Sequence, residues 1–228
     1  MMGRKPVINY VLIFIIIIIA VFGIMGFMVM NRVNTITAEA EKLVELDIQS
    51  GEIDTTIYSS GRYAVVESAM KNYVGNYVNN IRTLIGINSD QTLSGMLSLS
   101  NIENDGPEFT TSKLYLESKR RQITDLQTSL VNAGKEENII TFFETKGQNF
   151  FFNWIYKNQM LNNITVDFFY SEDEINSACS IVNTMLDNKE AVLDFLKENS
   201  EHWNIENESI TFETDELLQE YQELVSKL

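Results

Sequence analysis

Cysteine, histidine and proline are almost missing from this chain of 228 residues, and each scarcity removes a class of structure or chemistry. The single cysteine, Cys179, has no partner for an internal disulfide. With one histidine, His202, it cannot make a transition-metal site of several His or Cys ligands, so no metal and no cofactor is expected. Cys179 also falls on an apolar stripe, where a thiol packs as a small hydrophobe. It is far from the N-terminal apolar run, which excludes a lipid-modified cysteine there. Only Pro6 and Pro107 occur, so long helices meet few breaks.

Basic residues are also scarce, 17 against 32 acidic ones, for a net charge of −15. A chain so negative repels phosphate backbones and anionic membrane surfaces. Its one basic cluster, Lys119-Arg120-Arg121, fans around a helix and reads as a solvated face, so nucleic acid is not an expected partner.

Catalytic motifs are incomplete or missing. There is no G-x-G-x-x-G, no phosphate-cradling Walker loop and no G-x-S-x-G elbow. Ser68-Ala-Met-Lys71 fits S-x-x-K, in which a helical turn sets a lysine beside a nucleophilic serine. The companion S-D-N and K-T-G elements of such acyl-transfer enzymes are not found. Asn101-Ile-Glu-Asn-Asp-Gly106 begins like a calcium loop, but its twelfth position is Ser112 where a bidentate glutamate is needed. The chain is therefore read as non-enzymatic, with acyl transfer by Ser68 and Lys71 as a minor alternative.

What is present is a long apolar run. From Val7 to Met30 no residue is charged, and at 1.5 Å per residue the run makes a helix of roughly 36 Å, enough to span a bilayer core of about 30 Å. Ala38-Glu39-Ala40 has the form of a signal-peptidase site. It lies well beyond the apolar edge, however, and Val33, Ile36, Ala40 and Leu43 continue at helical spacing, so the segment is expected to stay attached. Arg4 and Lys5 precede the run, which favours a cytoplasmic N-terminus and a C-terminal domain outside the membrane. The expected organisation is a tail over 1–6, a transmembrane helix over 7–30, a juxtamembrane helix and linker over 31–57, and a domain over 58–228. Asn104-Asp-Gly-Pro107 marks the one internal break.

The fold class expected for the domain is mainly α. Tyr63, Val66, Met70, Tyr73, Tyr77, Ile81 and Leu84 form one stripe at steps of three and four. Leu116, Ile123, Leu126 and Leu130 form another, closed by Gly134. Shorter helices are expected over about 90–99 and from Glu136 to Lys146. Ser171-Glu-Asp-Glu174 has capping-box form before a stripe of Ile175, Cys179, Val182 and Leu186. Separate helices are expected over about 189–198 and 215–228, the last with Leu217, Tyr221, Leu224 and Leu228 facing inward. Ile164–Phe169 and Ser209–Phe212 are rich in β-branched and aromatic residues and are expected to pair as a small two-stranded sheet in the C-terminal half.

Phe150-Phe-Phe-Asn-Trp-Ile-Tyr156 puts six large apolar side chains in seven positions, so a helix there is buried all round or docks on something. Phe150, Phe151, Phe152, Trp154 and Tyr156 are the candidate partner-binding residues. The segment is first read as core, packed on Phe142, Phe168, Phe212 and the last helix. The abundance of Ile and Asn is read as the codon bias of an AT-rich bacterial genome. The expected function is a single-pass, membrane-anchored scaffold or interaction module of a bacterial envelope assembly, with the lipid bilayer and another membrane or envelope protein as partners. The alternative is a ligand-sensing ectodomain that signals through a membrane partner.

Overall fold

The structure, a computed structural model, describes the backbone from Val7 to Leu228 and the side chains from Ile24 onward. The chain is mainly helical, with one small antiparallel sheet in its C-terminal half. In chain order the elements are α1 (Val7–Val44), α2 (Arg62–Ile87), α3 (Gln91–Gly95), α4 (Leu99–Asp105), α5 (Thr110–Ala133), α6 (Glu136–Glu144) and α7 (Phe150–Gln159). A π-helical turn (Met160–Ile164) follows, then α8 (Thr165–Phe168), α9 (Glu172–Glu198), β1 (Trp203–Glu206), β2 (Ser209–Phe212) and α10 (Asp215–Val225). Among the described residues no helix is long and apolar enough to cross a membrane. The span expected over 7–30 falls for the most part on residues outside the described side chains.

The chain divides into two compact units, residues 1–75 with 136–169, and residues 76–135 with 170–228. The break at Asn104–Pro107 lies within the second of these.

In the first unit, Ile36, Ala40 and Leu43 on α1 are buried, as the helical spacing predicts. After α1 the chain turns at Gly51, whose missing side chain lets it close on Asp47. A Cβ there would lie 2.7 Å from the Asp47 carbonyl oxygen. A stretch without regular secondary structure leads to Gly61, where a φ of +61° turns the chain into α2. Along α2, Tyr63, Val66, Ala69, Met70 and Val74 face the core of this unit. Asn149 caps α7, its side chain accepting from the Phe152 N–H.

The segment expected as a strand, Ile164–Phe169, is instead the end of the π turn and α8. Met160, Ile164 and Phe168 are all buried and stand four residues apart, while Val166 is exposed. That helical period outweighed the β-branched composition, because strand propensity expresses packing context more than backbone preference.

In the second unit, the predicted faces of α5 (Leu116, Ile123, Leu126, Leu130) and of α9 (Ile175, Cys179, Val182, Leu186) are buried. The capping box at Ser171 and Glu174 is formed in both directions. No break separates residues 172–188 from 189–198. With Val192, Leu193 and Leu196 extending the buried face, one helix serves where two were expected. Residues 91–105, read as one short helix and a loop, make two short helices capped by Asp90 and Ser98. The calcium-like segment Asn101–Asp105 is helical, and the Asp105 carboxylate accepts from the Thr111 and Ser112 N–H groups at the start of α5 (3.0 and 2.7 Å).

β2 pairs with β1 through a two-residue turn at Asn207 and Glu208, both with positive φ (52° and 58°). On α10, Leu217, Tyr221 and Leu224 are half-buried, whereas Leu228 lies beyond the helix and is exposed.

Candidate functional site: the aromatic face of α7 and a buried charge cluster

Helical periodicity divides the Phe150–Tyr156 segment in two. Phe152, Ile155, Tyr156 and Gln159 turn into the first unit, while Phe150 is 84% exposed, Trp154 52% and Phe151 40%. Of the five candidate partner-binding residues, Phe152 and Tyr156 are therefore core. Phe150, Phe151 and Trp154 form an open aromatic face. Reading the whole segment as core is corrected accordingly, since ten residues of helix offer only one side to the interior. Phe212 and α10 belong to the second unit, where Phe212 packs on Phe195 and Tyr221 with ring centroids 5.8 and 5.2 Å apart.

The inward side of α7 is an aromatic stack. Tyr156 lies flat against Phe143 at 4.4 Å, and Phe152 meets Tyr63 edge-on at 5.0 Å. Burial pushes the Tyr156 hydroxyl well above the ordinary tyrosine range. Between α6 and α7 lies an open cavity of about 250 Å³, lined by residues that include Ile140, Phe143, Phe150, Asn153 and Trp154. The Tyr156 hydroxyl and the Asn153 Oδ1 are buried without a hydrogen-bond partner.

Sequence reading missed a second feature of the same unit. Glu39 on α1 and Glu67 and Lys71 on α2 are all buried, and the Lys71 ammonium lies 2.8 Å from Glu39 and 3.1 Å from Glu67. Lys71 also donates to the Thr56 carbonyl at 2.6 Å, and Glu67 accepts from the Tyr58 and Ser59 N–H groups at 2.7–3.1 Å. Burial by itself would raise the Glu67 pKa. The two backbone N–H groups and Lys71 outweigh it and hold the carboxyl below its ordinary range. Burial likewise opposes the charge on Lys71, and its bonds to Glu39 and Glu67 outweigh that to raise its pKa. Glu67 and Lys71 thus stay ionised near neutral pH, and the cluster ties α1, α2 and the stretch around Thr56–Ser59 together.

Lys71 therefore keeps its proton, as a general base for Ser68 would not. Ser68 Oγ accepts instead from the Asn72 amide (3.3 Å). The signal available in the sequence was the Glu67–Lys71 pair at i, i+4 on a helix face otherwise apolar.

No protein-family model, no curated protein and no solved structure matches this chain.

The remaining singular residues are buried or locally paired. Cys179 is buried, and desolvation raises its pKa. His202 Nδ1 is 2.8 Å from Glu213. In the basic cluster, Lys119 pairs with Asp90 at 2.9 Å, Arg120 with Asp187 and Glu190, and Arg121 with Glu117. Among the described residues no group of three or more His, Cys, Asp or Glu is placed to hold a metal ion. The second unit carries an open apolar groove of about 240 Å³ walled by Ile81, Leu84 and Ile85 of α2 and Ile175 and Ala178 of α9, with Tyr170 at its edge.

Proposed function

We propose that this protein is a non-enzymatic, membrane-anchored interaction module. Its N-terminal helix crosses the cytoplasmic membrane of a bacterium with the N-terminus inside, and its helical domain holds a partner outside. The observation that carries this reading is α1 itself. One unbroken helix joins the apolar run to the folded unit, and the side chains from Ile24 to Met30 are apolar or glycine and exposed at every position. Seven consecutive positions cover the full circumference of a helix, and a helix apolar all round belongs in lipid or inside protein. Further along, Ile36, Glu39, Ala40 and Leu43 are buried. An anchor continuous with the core sets the domain at a fixed height.

The apolar groove between α2 and α9 in the second unit supports a protein partner, a second membrane or envelope protein. The test joins two measurements. Full-length chain should remain in the membrane pellet after alkaline carbonate washing, and a reporter active only outside the membrane should be active when fused after Leu228. Release by carbonate, or activity only of a cytoplasmic reporter, refutes the reading.

A second reading, a ligand-sensing ectodomain, is favoured by the α6–α7 cavity with the unpartnered Asn153 Oδ1 and Tyr156 hydroxyl in its neighbourhood. A saturable change in Trp154 fluorescence on screening small polar aromatic compounds would support it.

A further inference from the structure

We propose that the exposed aromatic face of α7, formed by Phe150, Phe151 and Trp154, is a second membrane contact that seats the first unit on the lipid interface beside its own anchor. The proposal rests on the anchored reading above and adds what that reading leaves open, the occupant of this face.

The direction of α7 carries the argument. Gln159, at its C-terminal end, donates to Thr37 of α1 at 2.9 Å. Near its N-terminal end, the rings of Phe151 and Phe152 meet Tyr63, over whose ring the Arg32 guanidinium lies at 5.5 Å. α7 therefore runs alongside α1 in the same direction, with its first residues toward the apolar end of α1. Trp154 precedes Gln159 by five residues and Phe150 by nine, about 7 and 13 Å of helical rise. Measured back from Thr37, these bring Trp154 level with about Arg32, and Phe150 level with about Met28.

Arg32 is the first charge after the apolar run, so the aromatic face stands where the hydrocarbon edge meets the headgroups. Met28, Val29 and Met30 are exposed at the same height, so α1 and α7 both present apolar side chains there.

The chemistry of the segment fits that place. Residues 147–156 carry no charge, so seating them in the interface strands no ion. Tryptophan and other rings favour the headgroup level, where an apolar body and a polar edge are both solvated. Lys146 and Lys157 flank the segment, and long cationic side chains reach from such a boundary into water. The occupant is thus the lipid of the anchor's own bilayer. A partner protein would leave unexplained why the exposed rings gather at the height of the apolar edge.

The test uses the full chain in zwitterionic phosphatidylcholine vesicles. In Trp203→Phe only Trp154 reports. Its emission should be blue-shifted, quenched by lipid carrying a nitroxide near the headgroup and protected from acrylamide in water. A spin label at Phe150→Cys, in a Cys179→Ser background, gives an independent reading that does not depend on the Trp203 variant folding well. It should meet oxygen more than a water-soluble nickel chelate, with the reverse at exposed Asn162→Cys.

Chain that stays in the vesicles after carbonate washing, with Trp154 open to acrylamide and untouched by lipid nitroxide, overturns this proposal and leaves the anchor standing. Trp154 shielded from both quenchers overturns it too, in favour of a protein partner. Chain that never enters the vesicles overturns both readings.

Discussion

Replacing Lys71 by methionine should be among the most damaging single changes in the first unit, because it strands two buried carboxylates. Charges about 3 Å apart attract by roughly 5–6 kcal/mol each at an effective dielectric constant near 20. Lys71 makes two such contacts, at 2.8 and 3.1 Å, and the desolvation of three ions offsets much of that gain. The cluster as a whole therefore stabilises little, but removing only the cation leaves the desolvation uncompensated. The expected loss is about 3–5 kcal/mol at pH 7.

The pH dependence should also change sign. In the native chain the Glu67 pKa is lowered from 4.5, so its contribution is complete above the carboxylate range and is lost as pH falls through it. The Lys71 pKa is raised from 10.5, so its contribution is lost only as pH climbs beyond that value. Without the cation, burial should push Glu67 upward, and the folded state should take up a proton that the unfolded state leaves in water. The deficit of Lys71→Met should then shrink as pH is lowered from 7 to 5, whereas native stability should be flat or falling there. Adding Glu39→Gln should restore about 1–2 kcal/mol. Urea unfolding of the full chain in mild detergent, followed by far-ultraviolet circular dichroism at several pH values, measures all three. A loss below about 1 kcal/mol at pH 7, with no reversal of slope, would refute a buried, ionised cluster.

The two sides of α7 should respond differently to truncation. Phe152→Ala should cost about 3 kcal/mol or more by emptying a core site, and Trp154→Ala about 1 kcal/mol or less because half of its surface is open; equal losses in thermal unfolding would contradict the division. Glu208 holds a φ of +58° in the β1–β2 turn, where a side chain is strained, so Glu208→Gly should raise the stability of the second unit by about 0.5–1 kcal/mol. Hydrogen exchange of the hairpin amides would detect it, and faster exchange would count against it. The Asp90 pKa is lowered from 3.8 to about 2. Its burial is outweighed by the Leu93 N–H and by Lys119 and Tyr115. Its stabilisation is complete above the ordinary aspartate range and fades as pH falls from about 4 to about 2. Asp90→Asn should lower stability at pH 7 and remove that part of the acid dependence, which a comparison of unfolding at pH 3 and pH 7 checks.

Much of the helical framework was legible in the residue order. The stripes on α2, α5 and α9, the Ser171–Glu174 cap and the end of α5 at Gly134 are written in spacings of three and four and in residues whose preferences act over a single turn. Ser209–Phe212 was legible as a strand on the same local grounds, while its partner was not. Trp203–Glu206 is an unremarkable run, and only the Asn207–Glu208 turn, with two residues in a left-handed conformation, brings it into register. Ile164–Phe169 shows the opposite failure, with local composition pointing to a strand while Met160, Ile164 and Phe168 share one buried face four residues apart.

By itself, then, the sequence determined where helices run, which side of most of them is apolar and how strongly acidic the whole is, since each depends on neighbours within a turn or on a count. Tertiary structure alone decided which rings of Phe150–Tyr156 are core and which are open, because a helix apolar on most sides does not say which side its neighbours take. It alone also brought Glu39 to Lys71 across 32 positions. A buried ion is tolerable only beside its counter-ion, and which residues become neighbours is settled when the chain packs.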